Sequence, residues 1–260
     1  MTWALKRQIF YLTALVILFL VFAFILIYPS FNKPPTCVDG KQNGDEVGID
    51  CGGSCARVCL SQVDPVSVLW ARSFEVVPGR YNAVAYLENQ NKNSAINKIN
   101  YKFRFADEDN IYIGSREGST FVPPSGRFAI FEPAVNTGYS VPVYTTLEFT
   151  EPALWVQVDE EKMNQLRIIA SNIKIEGFDT MPRLLATISN KSLFTVPTVN
   201  VVAILYDDMR NAISVSKTTL TDLGPESSRE ASFTWPKPFG TEVVTSEVIP
   251  MFNIFGVKLE

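Results

Sequence analysis

The sequence predicts an all-β protein: two tandem Ig-like antiparallel β-sandwich domains, preceded by one N-terminal transmembrane helix and a small disulfide-rich segment. Three observations predict this. The N-terminal region has a long apolar run, the cysteines gather in one short segment, and the remainder consists of short alternating segments that recur at a fixed spacing. The predicted parts are a cytoplasmic tail (1–8), a transmembrane helix (9–28), a spacer and cysteine segment (29–60), a first domain (61–158), a linker (159–165) and a second domain (166–260).

The apolar run at residues 9–28 has the length of a membrane-spanning helix. It contains no charge, Pro or Gly, and at about 1.5 Å per residue it covers about 30 Å, the thickness of a hydrocarbon core. Lys6 and Arg7 precede it and Lys33 follows, which predicts a cytoplasmic N-terminus and an extracytoplasmic remainder. The alternative is a cleaved signal peptide, whose apolar region is usually roughly 7–15 residues long. We expect an uncleaved single-pass anchor in the cytoplasmic membrane.

The composition excludes several classes of function. The formal net charge is −4 and the chain has no basic stripe, so nucleic acid is not an expected partner. Histidine is absent, which removes Ser-His-Asp and Cys-His catalysis and His-ligated zinc. Carboxylate chemistry stays open, and no motif indicates a small-molecule substrate.

All the cysteines lie in a polar, glycine-rich segment directly after the spacer. They are Cys37, Cys51, Cys55 and Cys59. A segment this small cannot bury a core and needs cross-links. Outside the cytoplasm four cysteines predict two disulfides, with three connectivities open. Zinc on four thiolates and redox exchange are the alternatives, but the spacing lacks the paired C-x-x-C motifs of a zinc site.

The same segment offers oxygen ligands for calcium, the one cofactor that the sequence suggests. Their spacing does not match an EF-hand loop. The pattern C-x-D-G-x-x-N-G-D-E-x-G-x-D-C-G-G-x-C resembles a short module that recurs in extracellular and envelope proteins of bacteria and archaea. That resemblance implies an external location and no activity. The candidate ligands are Asp39, Asn43, Asp45, Glu46 and Asp50.

The rest of the chain reads as two copies of one β domain. Residues 99–105 alternate apolar and polar side chains, as in a half-buried antiparallel strand. Asn89 matches Asn190 and Asp107 matches Asp207, and the offset stays between 100 and 103 along both segments. A repeat of this length is a domain, and short strands separated by turns indicate a β-sandwich.

The second copy resembles the FxLYD domain, and more broadly the late-embryogenesis-abundant-like and other Ig-like β-sandwiches. The resembling residues are Ala203-Ile-Leu205-Tyr206-Asp207, with Ala203 standing where that family has Phe. The resemblance implies a seven-stranded sandwich without catalytic residues. We expect Asp107 and Asp207 in hairpin turns, where their side chains accept hydrogen bonds from backbone amides. Binding of a cation by these turn carboxylates is the alternative.

Three further features each have a structural and a functional interpretation. Trp70, Trp155 and Trp235 are predicted to pack in cores or between domains instead of lining a carbohydrate site. The Pro-rich stretch 234–239 is predicted to end a strand and protect an edge instead of docking a partner. Asn190-Lys-Ser192 is a glycosylation sequon.

The function expected from these features is that of a non-enzymatic envelope protein. The anchor would hold two Ig-like domains outside the cytoplasmic membrane for binding or scaffolding of other envelope proteins. The alternative is an anchored extracytoplasmic hydrolase, which needs two carboxylates roughly 5 to 9.5 Å apart in a cleft. A sensor that signals inward is a third hypothesis, and the predicted eight-residue tail argues against it.

Overall fold

The computed structural model describes residues 3–31 and 36–259. It divides the chain into two compact units, Met1–Cys55 and Ala56–Glu260. Met1 and Thr2 of the predicted tail, and the spacer residues 32–35 with Lys33, lie outside the described residues.

The first unit begins with one long helix, α1, which spans Trp3–Phe31. Its segment Arg7–Leu26 has a mean hydropathy of 3.0 and is long and apolar enough to cross a membrane. The helix starts earlier than the predicted 9–28 because the residues before the apolar run, such as Leu5 and Gln8, are also good helix formers. Within the span, the Thr13 hydroxyl donates to the carbonyl oxygen of Ile9 at 2.8 Å, so it is satisfied by its own helix.

The second unit contains all the strands described, and its first repeat supplies seven of them. Antiparallel pairing forms two sheets, ordered β1-β2-β5 and β4-β3-β6, with β7 added alongside β3. The strands are β1 Ser67–Val77, β2 Arg80–Asn89, β3 Ser94–Ala106, β4 Tyr112–Val122, β5 Gly126–Asn136, β6 Tyr144–Phe149 and β7 Trp155–Gln157.

The second repeat has the same strand order but supplies six strands, one fewer than the seven-stranded sandwich that the resemblance implies, because its described residues form no counterpart of β7. Its sheets are β12-β9-β8 and β11-β10-β13, again antiparallel. A short helix, α2 (Glu160–Gln165), precedes it in the stretch predicted to be a linker, and Asp159 caps that helix. The strands are β8 Ile168–Glu176, β9 Arg183–Asn190, β10 Val196–Tyr206, β11 Ala212–Leu223, β12 Ser228–Thr234 and β13 Thr245–Met251.

The four sheets of this unit stack as successive layers. One apolar core fills each repeat, between β2 and β3 in the first and between β9 and β10 in the second. A third cluster joins the repeats, with Val84 and Tyr86 of β2 packed with Val202 and Ile204 of β10. This contact between sheets β1-β2-β5 and β11-β10-β13 is called the seam below. Two sheets are therefore internal layers and two are outer layers.

The layer in which a strand lies explains its sequence pattern. Residues 99–105 of β3 alternate buried and more exposed side chains because one face of this outer sheet meets water. Residues 201–205 of β10 are buried at every position because both faces of this inner sheet are covered. An apolar run in place of alternation is the signature of a strand buried on both faces.

The matching polar residues of the two repeats make matching contacts. The Asn89 amide donates to the carbonyl oxygens of Ser94 and Pro123, and Asn190 makes the same kind of contact with Phe194, Leu223 and Gly224. Asp107 Oδ1 accepts from the Ile111 amide at 2.8 Å, and Asp207 Oδ1 from the Asn211 amide at 2.7 Å. These side chains satisfy turn backbone that has no other partner in the ladder.

The predicted fold class is confirmed: the chain is mostly β, with antiparallel sheets packed as sandwiches, one apolar N-terminal helix and disulfides between residues 37 and 59. The boundaries 61–158, 159–165 and 166–260 stay predictions. Because the two repeats pack against each other at the seam, both belong to one compact unit.

The seam generates a stability prediction. Ile204 is fully buried in it, so Ile204→Ala should lower the free energy of unfolding by about 2–5 kcal/mol, the cost of removing a buried aliphatic side chain. Ile111→Ala removes the same atoms from a side chain that is 61% exposed and should change it by about 0.5 kcal/mol or less. Urea unfolding of the full chain measures the free energy of unfolding of both variants. Equal decreases in the two variants would contradict the claim that packing at the seam stabilises the fold.

Candidate functional site: the cysteine segment, the loop end and the seam

The cysteine segment is held by disulfides, as predicted. Cys37 is bonded to Cys55, and Cys51 and Cys59 are disulfide-bonded as well. No cysteine among the described residues is free, so in this oxidised state none of them offers a thiolate to a zinc ion. Gly53 lies at φ +62°, and a Cβ there would collide with the carbonyl oxygen of Asp45. The glycine at this position is therefore a steric requirement.

Four of the predicted calcium ligands act as hydrogen-bond acceptors within this segment, whereas the side chain of the fifth, Asn43, donates, and its Oδ1 is buried with no donor among the described residues. The Asp50 carboxylate accepts from the amides of Asp39 and Gly40 at 2.9–3.1 Å. Asp39 accepts from the side-chain amide of Asn43 at 2.8 Å. Asp45 accepts from the Ser54 hydroxyl at 2.8 Å, and this bond lowers the pKa of the Asp45 carboxyl below its usual value. These contacts tie the loop together, and calcium binding stays a prediction.

The Glu46 carboxylate completes the set. It accepts from the Asn43 amide at 3.1 Å and lies 3.3 Å from the sulfur of Cys55. Glu46, Cys37 and Cys55 are the one group of three or more ligand-type side chains that converge within the described part of the chain. Its two sulfurs are in a disulfide, which leaves one carboxylate for a cation.

The three tryptophans and the asparagine of the sequon have structural roles. Trp155 and Trp235 are 2% and 7% exposed and lie in the cores of the first and second repeats, while half-buried Trp70 packs against the seam. Asn190 is fully buried, and its amide nitrogen donates to three carbonyl oxygens. A glycan on that nitrogen is incompatible with the folded state.

The connections at one end of each repeat form the candidate functional surface, called the loop end. In the first repeat it comprises residues 78–79, 107–111 and 137–143, and in the second residues 177–182, 207–211 and 235–244. The two sets lie on the same side of the unit because contacts across the seam join equivalent ends. Lys237 pairs with Glu75 near this end, and Asn253 bonds Asn97 at the opposite end.

The loop end is rich in exposed apolar side chains. Most of the exposed large hydrophobic side chains between residues 56 and 259 lie in these loops or at the adjoining strand ends. Tyr112 and Tyr144 flank Ala106 in one row across the sheet, since both pair with it. Such concentrations on a soluble domain mark interaction surfaces. The others are Val77, Ile111, Tyr139, Val141, Val143, Phe178, Met181, Met209 and Val244.

A cavity of about 160 Å³ opens on the seam near the loop end and is called the seam cavity. The end of β1, the start of β11 and the loop 235–244 line it. Ile213, one of its lining residues, is the extra residue of a β-bulge, because Leu205 pairs with Ser214 and Tyr206 with Ala212. Both repeats contribute walls, so the cavity exists only where the repeats are packed together.

Two glutamates, buried Glu132 and half-buried Glu247, accept hydrogen bonds from tyrosine hydroxyls. Tyr101 donates to Glu132 at 2.6 Å, and Arg116 donates to the same carboxylate at 3.0 Å. Tyr86 and Tyr206 both donate to Glu247, at 2.7 and 3.1 Å, which joins the two repeats. Burial, reinforced by Glu247, raises the pKa of Tyr86 to about 12. Burial also raises the pKa values of Tyr101 and Tyr206.

Sequence reasoning missed the loop end, the seam cavity and the Tyr86–Glu247–Tyr206 bridge. The one available signal was the apolar second face of β10, which indicates a covering layer without naming it. Residues 234–239 were predicted to end a strand, and β12 does end at Thr234. The same stretch also forms a wall of the seam cavity.

Comparisons with known proteins leave the chain without an assigned family. No family model matches it, and no curated protein matches it. Among solved structures it is similar to part of a glycosyl hydrolase family 2 member from Bacteroides cellulosilyticus (9% identity, TM-score 0.25, 69% of this chain and 28% of that one). It is also similar to part of red sea bream transglutaminase (10% identity, TM-score 0.23, 72% and 31%).

The chain thus spans less than a third of the length of either protein. At these TM-scores the two likenesses carry no argument about fold or activity. The resemblance to FxLYD and late-embryogenesis-abundant-like domains stays a prediction.

The tyrosine bridge predicts a specific dependence of stability on pH. A tyrosine in the unfolded chain ionises near pH 10, whereas folded Tyr86 holds its proton until about pH 12. The stabilisation is therefore complete below pH 10 and lost as the pH rises through that window. Tyr86→Phe should reduce the fall in the free energy of unfolding, measured by urea titration across this range. Tyr139→Phe alters a fully exposed ring and should leave the fall unchanged; an equal effect of both variants would refute the assignment.

Proposed function

We propose that the chain is a non-enzymatic single-pass protein of the cytoplasmic membrane. Its N-terminus lies in the cytoplasm, and residues 56–260 bind another envelope protein outside. The helix with its apolar segment Arg7–Leu26 and the oxidised cysteines are compatible with a membrane-anchored extracellular β protein. Lys6 and Arg7 before the apolar run support the orientation.

The observation that carries the binding proposal is the distribution of apolar side chains on the second unit. They concentrate at the loop end, where both repeats contribute. Loops at one end of paired sandwiches are held by rigid sheets, a common arrangement in binding proteins. Tyr139, Met209 and Val244 are more than half exposed, and burying such side chains is the main favourable term in protein association.

The contacts of Glu132 and Glu247 favour a binding role over a hydrolysis that would use these two carboxylates. Glu132 and Glu247 are each held by a tyrosine hydroxyl, and Glu132 also by Arg116. A glycosidase needs one carboxylic acid free to protonate a leaving group and a second free to attack or to activate water. These two glutamates instead satisfy buried phenols, which is a structural role.

Site-specific photo-crosslinking in the native membrane tests the proposal. The full chain would carry p-benzoylphenylalanine in place of Tyr139 or Met209, which are 107% and 76% exposed at the loop end. Both should give a crosslinked product with the same envelope protein. The control position is Leu193, which is 69% exposed between β9 and β10, away from the loop end, and should give several-fold less.

Equal products from all three positions, or none above background, would contradict the proposal. An alkaline phosphatase domain fused after Glu260 provides the control for orientation. It should be active, because that enzyme folds only outside the cytoplasm, where its disulfides form.

A further inference from the structure

A cleft of about 380 Å³ opens at the loop end between two loops of the second repeat, and is called the acidic cleft. The loop between β8 and β9 and the loop between β12 and β13 form its walls. They are joined by a backbone hydrogen bond from the Trp235 amide to the carbonyl oxygen of Pro182 at 3.0 Å. Asp179 and Glu242 line the cleft, and no basic residue of the described chain does.

Both carboxylates of the acidic cleft are available to a partner. Asp179 and Glu242 are exposed, and neither side chain forms an ion pair or a hydrogen bond among the described residues. Lys237 belongs to the same loop as Glu242 but pairs with Glu75 at 3.5 Å. Two carboxylates in one cleft repel each other, so a cation placed between them is attracted by both.

Apolar side chains line the acidic cleft beside the carboxylates. Phe178 is 46% exposed, and Phe239 and Val243 are half-buried. The Phe239 ring is held edge to face by Trp235, with the ring centroids 5.3 Å apart. Lysine and arginine cover apolar surface with their aliphatic stems, and their cationic heads are attracted to aromatic faces. The lining therefore suits a long cationic side chain.

The charge of the whole loop end agrees with that of the acidic cleft. Its loops hold seven of the 27 acidic residues of the chain and two of the 23 basic residues, so the remainder has 20 acidic and 21 basic residues. Of the seven, the exposed ones form no ion pair among the described residues. They are Glu108, Asp109, Asp179, Asp208 and Glu242.

This concentration of charge decides between the possible occupants of the loop end. Phospholipid membranes are neutral or anionic, so an acidic surface has no electrostatic attraction to them. The remainder of this chain is nearly neutral, which makes a second copy a poor electrostatic match. A surface that is both apolar and acidic is complementary to a protein segment that is both apolar and basic.

We infer that the loop end binds a basic, apolar segment of the protein partner, with a lysine or arginine side chain in the acidic cleft. The cationic head lies between Asp179 and Glu242, and the stem packs against Phe178 and Phe239. Complementary charge of this kind speeds association and selects among partners. This inference rests on the proposed function, because it names the chemistry of the segment that docks.

Peptide binding to the full chain in phosphatidylcholine nanodiscs tests this chemistry without the partner. The probes are fluorescein-labelled peptides of equal length that alternate arginine with leucine, arginine with serine, or glutamate with leucine. Fluorescence anisotropy at an ionic strength of about 0.15 M should show saturable binding of the arginine–leucine peptide. Its Kd should be about tenfold or more below the other two, because it alone combines positive charge with apolar side chains. Empty nanodiscs give the background.

A matched pair of variants establishes where the peptide binds. Asp179→Asn combined with Glu242→Gln neutralises the acidic cleft and should raise the Kd of the arginine–leucine peptide about threefold or more, as expected for two exposed ion pairs. Asp64→Asn combined with Glu226→Gln makes the same change of charge at exposed positions at the opposite end and should leave that Kd unchanged.

Three results would overturn the inference. The first is that the arginine–leucine peptide does not bind saturably above the background of empty nanodiscs. The second is that either of the other two peptides binds as tightly. The third is that the two double variants have the same Kd for the arginine–leucine peptide.

The acidic cleft and the proposed function fail in different ways. If neutralising Asp179 and Glu242 leaves the photo-crosslink from Met209 undiminished, the partner docks without the cleft, so the proposed function stands and the inference falls. If the arginine–leucine peptide binds as expected but neither Tyr139 nor Met209 crosslinks to a protein, the binding chemistry of the cleft stands and the proposed function is contradicted. Crosslinks to lipid alone would contradict both. A crosslink from Met209 that weakens in the cleft variant and persists in its control supports both.

Discussion

The packing of two sheets at the seam is the constraint on which the rest of residues 56–260 depends. Sheets β1-β2-β5 and β11-β10-β13 each have a core on one face and the seam on the other. Their central strands must therefore be apolar throughout, and a polar side chain such as Tyr86 is tolerated only with a partner, here Glu247. The seam also fixes which loops become neighbours, and so creates both the loop end and the seam cavity.

Much of this architecture could be predicted from the sequence because its signals are local. The length of the apolar run 9–28 indicates a membrane-spanning helix. The alternation in residues 99–105 indicates a strand with one solvent-exposed face, and the constant offset between Asn89 and Asn190 indicates the repeat. The paired contacts of those two asparagines show why both copies keep the residue: each satisfies the carbonyls of a strand connection. The disulfides of the cysteine segment could likewise be predicted, because a segment so small and polar needs cross-links to be stable.

The seam and its cavity could not be predicted, because they depend on contacts between residues more than 100 positions apart. Tyr86 meets Glu247, and Phe74 and Trp235 line one cavity, although nothing in either local pattern identifies the other. Carboxylates were also ambiguous. An aspartate in a glycine-rich loop, such as Asp50, could equally bind calcium or accept hydrogen bonds from the backbone. The folded structure shows that Asp50 accepts from two amides. The type of a side chain determines which contacts it can make, whereas the folded geometry determines which residue it contacts.

The distance between the two repeats is the most direct test of the central claim, that the seam joins them into one compact unit. Spin labels at Ser119 and Lys174 would occupy exposed positions on the two outer sheets, and the disulfide-bonded native cysteines would not react. Three intersheet spacings of about 10 Å separate those layers. Pulsed electron paramagnetic resonance on the full chain should give one narrow distance peak above about 30 Å. A broad or multiple distribution would contradict a packed seam.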